Sequence, residues 1–216
     1  MGVAASRSDV GVPLYPDQAG FWRETTAFIQ PGWQVQYRQQ AEASERLRPY
    51  CRKSEKTGTI SEAGCLYLRA LCARFAPPVV VEVGTFIGSS ALAMAHESGV
   101  VHTCDKDNDI VQSHGNVIAY GKKTSTQMFA ELASAKVKAS FFFFDGRIHE
   151  NDLPLIDLIA EPGSIFAFDD FEGQEKGVIN ARRLGRHIQT AYRLVLPPKV
   201  VPMSSSRTTI AAMVPA

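Results

Sequence analysis

Along the chain, apolar positions first recur at helical spacing. Phe21, Trp22, Phe28 and Ile29 share one face, and a more polar stretch from Gln34 to Arg48 predicts a second, more exposed helix. Ser61 is placed to cap a third helix, whose Cys65, Leu68, Leu71, Cys72 and Phe75 repeat at the same period until Pro77 and Pro78 stop it. The pattern then changes. Val79 to Val83 is a β-branched run ended by Gly84 and followed by an Ala-, Leu- and Met-rich helix from Ser89 to His96.

The same strand-then-helix unit returns along the rest of the chain. Predicted strands cover Val100–Cys104, Asn116–Tyr120, Val137–Phe144 and Ser164–Phe168. Helical patterns follow through Met128, Phe129 and Leu132, then Leu153–Ile159, then Val178, Ala181, Leu184 and Ile188. Such alternation implies an α/β fold, a mostly parallel sheet with helices on both faces. The continuous run Phe141–Phe144 reads as a central strand buried on both sides. Tyr192–Leu196 and Thr208–Val214 are separated by a loop too short for a crossover helix, so they should pair antiparallel. Residues 1–20 lack periodicity and are expected outside the core, as a mobile arm or folded over the domain.

Composition narrows the class. A chain of 216 residues with 45% hydrophobic and 21% charged residues can bury one sizeable core. Its 23 Lys and Arg against 22 Asp and Glu leave no basic excess for nucleic acid. No apolar run approaches membrane-spanning length, and the N-terminus has no signal-peptide core. The four Cys, at 51, 65, 72 and 104, show neither C-x-x-C pairs nor His clustering, which suits a reducing, cytoplasmic setting. A homodimer through the N-terminal helices or the last strand pair is compatible with the sequence, though no residue pattern requires it.

Ligands of open α/β sheets bind at the carboxyl ends of the strands, and there the chemistry concentrates. Glu82-Val83-Gly84-Thr85-Phe86-Ile87-Gly88-Ser89-Ser90 forms an E-x-G-x-x-x-G turn that admits close backbone approach, without the middle glycine of a dinucleotide-binding turn. Asp105, about 20 residues beyond, either accepts hydrogen bonds from ribose hydroxyls or caps the following Lys106-Asp107-Asn108 segment. Ser125 and Thr126 offer small polar groups to a base edge, or belong to the cap of the helix running through Leu132. Asp145 ends one strand, and Asp169 and Asp170 end the next. Three carboxylates so placed repel one another unless a positive charge lies between them, and a hard divalent cation is the simplest such charge.

In that order these sites resemble the class I S-adenosylmethionine-dependent methyltransferases, and more narrowly the catechol and caffeoyl-coenzyme A O-methyltransferase group. The likeness runs from Thr57-Gly58-Thr59-Ile60-Ser61 to the end of the chain, making 57–216 the S-adenosylmethionine-binding domain and 1–56 an arm with cover helices. It implies a Rossmann-like seven-stranded sheet and methyl transfer to a hydroxyl of a small molecule. Glu82, Gly84, Thr85, Gly88 and Ser90 would hold the methionine portion of the cofactor, Asp105 the ribose, and Ser125 and Thr126 the adenine. Asp145, Asp169 and Asp170 would hold Mg²⁺ or another divalent cation, with Asp170 standing where the group has an Asn.

One departure bears on mechanism. The group carries a Lys base shortly after the fourth-strand Asp, whereas this chain reads Asp145-Gly146-Arg147-Ile148-His149. His149 titrates in the useful range and is one candidate base, a solvent-facing residue at a helix start being the alternative. In a metal-free site Asp145 would itself orient or deprotonate the acceptor, with Asp169 and Asp170 binding polar groups. A metal-independent N- or carboxylate methyltransferase and a noncatalytic cofactor-binding module also satisfy the pattern. Trp22 and Trp33 either line the acceptor pocket or pack in the core. The Arg182, Arg183, Arg186 and His187 cluster reads as a solvated helix face, with acidic-substrate recognition as the alternative.

Overall fold

A computed structural model describes residues 10–43, 60–107, 115–188 and 191–216. The expected helix beyond Ala43, the Thr57–Thr59 segment, the 56/57 boundary, Cys51 and Asn108 lie outside the described residues. Among the described residues, the helices α1 (Gln18–Thr26), α2 (Trp33–Ala43) and α3 (Glu62–Phe75) precede the sheet. Then come β1 (Val79–Val83), α4 (Ser89–Ala95), β2 (Val100–Asp105), β3 (Val117–Gly121), α5 (Ser125–Ser134) and β4 (Ala139–Phe144). A short 3₁₀ turn at Glu150–Asp152 leads into α6 (Leu153–Ile159), β5 (Ala160–Phe168), α7 (Lys176–Ile188), β6 (Tyr192–Val195) and β7 (Ala211–Pro215).

The strands form a seven-stranded sheet in the order β3-β2-β1-β4-β5-β7-β6. β1 to β5 run parallel, and β7 pairs antiparallel with both β5 and β6. The helices α4, α5 and α6 are the crossovers that follow β1, β3 and β4, and the Pro- and Ser-containing loop from Leu196 joins the antiparallel β6 and β7. The order reverses between β1 and β4, which opens a crevice at their carboxyl ends.

Period-two alternation divides the core between the two faces of the sheet. Phe141 and Phe143 face α3 and α4 with Val80 and Ala167, while Phe142 and Phe144 face α5, α6 and α7 with Phe166 and Phe168. Phe142 and Phe166 stack at 5.1 Å between centroids, and all four residues of the Phe run are fully buried. Each such ring removed from water contributes roughly 1.5–3 kcal/mol.

Local signals set the element ends. Ser61 Oγ accepts the Gly64 N–H at 3.0 Å, and Ala76 closes α3 in the left-handed region at φ +44° before the two prolines. Thr124 and Gln127 form a capping box at the start of α5. The N-terminal arm departs from expectation. Val10 and Val12 are buried in the core beside α7, and the Leu194 N–H donates to Pro13 O while the Tyr15 N–H donates to Leu194 O, both at 2.8 Å. The free edge of β6 recruits these residues because its backbone groups need partners.

The helices α1 and α2 cover α3. Arg74 donates to Phe21 O at 3.0 Å and to Thr25 Oγ1 at 2.8 Å, and the Arg69 guanidinium lies 4.0 Å over the Trp33 ring. Trp22 Nε1 donates to Leu196 O at 2.8 Å. Both tryptophans therefore pack structurally. Among the described residues no helix is long and apolar enough to cross a membrane, and Cys65, Cys72 and Cys104 are buried free thiols, as their apolar surroundings suggest.

Candidate active site

A cleft of about 620 Å³ opens at the carboxyl ends of β1, β2 and β4. Of the residues singled out in the sequence, Gly84, Asp105, Ser125, Thr126, Asp145 and His149 line it together. Glu82, Thr85, Ser90 and Asp169 are buried, and Gly88 is the left-handed residue that starts α4, at φ +87°. Neither tryptophan is among the lining residues.

The Gly84 turn is held from several sides. The Gly84 and Thr85 N–H groups donate to Cys104 O at 2.9 and 3.2 Å, joining the turn to the end of β2. Asp105 accepts the Phe86 N–H on Oδ2 at 2.7 Å and the Asp107 N–H on Oδ1 at 2.9 Å. Its carboxylate is thus fixed by backbone donors, as the cap reading expects, at a position that lines the cleft. Below the turn, Thr103 donates to Glu82 Oε2, and Thr103 also bonds Thr85 Oγ1. Glu82 Oε1 has no partner although the residue is fully buried. Burial pushes its carboxyl up to about 7, against the pull of the Ser90 and Thr103 hydroxyls.

On the far wall the structure adds a residue the sequence reading missed. Asp152 is fully buried; it accepts Ser125 Oγ on Oδ2 at 2.7 Å, Thr126 Oγ1 on Oδ1, and the His149 N–H on Oδ2 at 2.8 Å. One carboxylate therefore ties the start of α5 to the loop after β4. Asn180 acts similarly, accepting the Ile148 N–H at 3.2 Å and donating to Gly146 O at 2.8 Å. Asp152 stands in a polar His149-Glu150-Asn151-Asp152 run just before the apolar helix and carries no distinguishing sequence signal, whereas Asn180 is a lone amide on the apolar face of α7. His149 itself is exposed at the rim.

The expected three-carboxylate metal site is not what forms. Lys176 Nζ lies 2.6 Å from Asp145 Oδ1 and 3.1 Å from Asp170 Oδ2, and Asp169 Oδ1 instead accepts the Thr209 hydroxyl at 2.6 Å. Among the described residues no group of three His, Cys, Asp or Glu is arranged to hold a metal. The donor set as folded does not fit a divalent cation, because the charge that the carboxylates need is supplied by an ammonium. Burial and the neighbouring Asp169 push Asp145 up to about 7, with Lys176 pulling the other way. Burial also raises Asp169, against the Thr209 hydrogen bond. Although burial disfavours its charge, Lys176 is held above the usual lysine range by Asp145 and Asp170.

In the basic cluster on α7, Arg183 pairs with Glu150 at 2.8 Å beside a separate depression, and His187 Nε2 is hydrogen-bonded to Asp157 Oδ2 at 2.7 Å. This agrees with a solvated helix face.

No protein-family model matches the sequence, and no curated protein matches it. Solved structures do resemble it. An O-methyltransferase from Bacillus cereus in complex with S-adenosylhomocysteine superposes with a TM-score of 0.58 at 16% identity, covering 91% of this chain and 97% of that one. The O-methyltransferase TomG from Streptomyces achromogenes, in complex with S-adenosylmethionine, gives 0.56 at 13% identity over 89% and 93% of the two chains. The S-adenosylhomocysteine-bound methyltransferase PaMTH1 from Podospora anserina gives 0.53 at 12% over 94% and 97%. With the strand order and the antiparallel β7, these superpositions establish that the chain has the Rossmann-like fold of the class I S-adenosylmethionine-dependent methyltransferases.

Proposed function

We propose that the protein transfers the methyl group of S-adenosylmethionine to a hydroxyl oxygen of a small molecule. The observation that carries this reading is the single cleft in which the Gly84 turn and Asp105 face the Asp145–Lys176 pair. Gly84, Thr85, Gly88 and Ser90 shape the turn that receives the methionine portion, and the unpartnered Glu82 Oε1 is an acceptor for its ammonium. Asp105, already oriented by the Phe86 and Asp107 N–H groups, accepts the ribose hydroxyls. Ser125 and Thr126, held by Asp152, flank the adenine. The solved O-methyltransferases with the same fold, two of them with the cofactor or its product bound, support this assignment.

When bound, the cofactor supplies a methyl group on a positively charged sulfur, so the leaving group needs no assistance. The chain's task is to place an acceptor oxygen in line and remove its proton. Asp145 takes that proton, because its carboxyl, raised to about 7, is matched to neutral pH and lines the cleft beside Lys176. With the cofactor bound, transfer to that oxygen would return the sulfur–carbon electron pair to sulfur and leave a methyl ether, a neutral thioether and a proton on Asp145.

Incubation with methyl-labelled S-adenosylmethionine and a panel of phenols and vicinal diols tests the reading. Label recovered in a methyl ether is expected. Label recovered only in methylated amines or carboxylate esters would overturn the hydroxyl assignment.

A further inference from the structure

Strand-end carboxylates this close together need a positive charge, and here the chain provides its own. Lys176 is the first residue of α7, the end at which aligned peptide dipoles oppose a cation. A lysine set against its helix dipole implies a partner that outweighs it, and Asp145 and Asp170 lie within 2.6 and 3.1 Å. The next residue fixes the placement. A Cβ on Gly177 would sit 1.9 Å from Asp169 O, so the start of α7 rests directly on the Asp169–Asp170 turn. Lys176 and Asp145 line the same cleft, and an ammonium has three donors, of which two go to the carboxylates.

We propose that Lys176 takes the position of a divalent cation: its ammonium holds Asp145 and Asp170 together and gives its remaining N–H to the acceptor oxygen, making methyl transfer independent of metal. This inference rests on the methyl-transfer reading above. Lys176 keeps its proton throughout; it stabilises the charge developing on the acceptor oxygen while the hydroxyl proton passes to Asp145.

Paramagnetic Mn²⁺ titrated into the chelator-treated full chain, followed by electron paramagnetic resonance, reads the cation position without requiring turnover. Wild type should bind no Mn²⁺ at micromolar concentration. Lys176→Met leaves the carboxylates unpaired and should gain at least about tenfold in Mn²⁺ affinity, a gain abolished by adding Asp145→Asn. Lys176→Arg retains the charge and should exclude Mn²⁺ as wild type does, which keeps the comparison informative if the Met variant fails to fold. Turnover should persist in chelator and fall by about 10²–10³-fold in Lys176→Met. Stoichiometric Mn²⁺ binding by wild type that Asp145→Asn removes, or wild-type turnover in Lys176→Met, would overturn the proposal. Loss of S-adenosylhomocysteine binding in every sample would refute the methyl-transfer reading instead, and the Mn²⁺ comparison would still report what Lys176 does.

Discussion

Gly84 tests how the cofactor turn is built, because two separable effects meet there. Its backbone sits at φ +99°, and a Cβ would lie 2.5 Å from Gly146 N, 2.9 Å from Asp145 C and 3.0 Å from Gly146 Cα. All three atoms are backbone of the β4 end and cannot rotate aside. The left-handed conformation alone costs a side chain about 1–2 kcal/mol, and forcing β1 and β4 apart adds about 1–3 kcal/mol. Gly84→Ala should therefore lose about 2–5 kcal/mol, or on the order of 5–15 °C in Tm for a chain of this size. Gly32 provides the control, since it has φ +101° with nothing within 4 Å of its Cβ. Gly32→Ala should lose only the conformational part, about 1–2 kcal/mol. Urea denaturation of both variants gives the difference directly. If Gly84→Ala were no less stable than Gly32→Ala, the close β1–β4 approach that places Asp145 beside the turn would be wrong.

Two further outcomes follow from the buried acids. Asp152→Ala strips the acceptor from two hydroxyls and one backbone N–H; it should cost about 3 kcal/mol in urea denaturation and weaken S-adenosylhomocysteine binding as the start of α5 loosens. Glu82 is raised from 4.5 to about 7 in the folded chain, so its protonation favours folding, and that stabilisation, complete below the unfolded value, is lost as pH rises through about 7. Glu82→Gln should therefore gain stability over wild type by on the order of 2–3 kcal/mol between pH 4 and 8. Parallel pH-dependent melts that fail to diverge would refute the raised Glu82 carboxyl.

The layered sheet was legible because local signals and tertiary packing agree. The Phe141–Phe144 run, the Ser61 cap and the paired prolines each point to the element that forms. Strand ends shifted by a few residues, as at Ala160 and Ala211, where pairing with a neighbour extends or trims what composition suggests. Burial of Val10 and Val12 was not legible, since the alternation Val10-Gly11-Val12 is too short and too interrupted by Gly and Pro to mark a strand, and it owes its place to the open edge of β6.

At the site, the acids at the strand ends could be read from the sequence, along with their need for a counter-charge. The identity of that charge could not. Lys176 lies in a polar stretch beyond the Asp pair, and only the docking of Gly177 onto the Asp169–Asp170 turn brings it over Asp145. Its one advance signal was a cation at the wrong end of a helix. Thr209 and Asn180 reach the site from β7's approach and from α7, contacts that no local pattern announces.

The cleft at the ends of β1, β2 and β4 is where the methyl-donor cofactor is expected to bind. Calorimetric titration of chelator-treated protein with S-adenosylhomocysteine, on wild type and Asp105→Ala, tests this. Stoichiometric binding by wild type, weakened at least about tenfold in the variant by loss of the ribose acceptor, is the predicted result. No binding by wild type, or equal binding by both proteins, would contradict it.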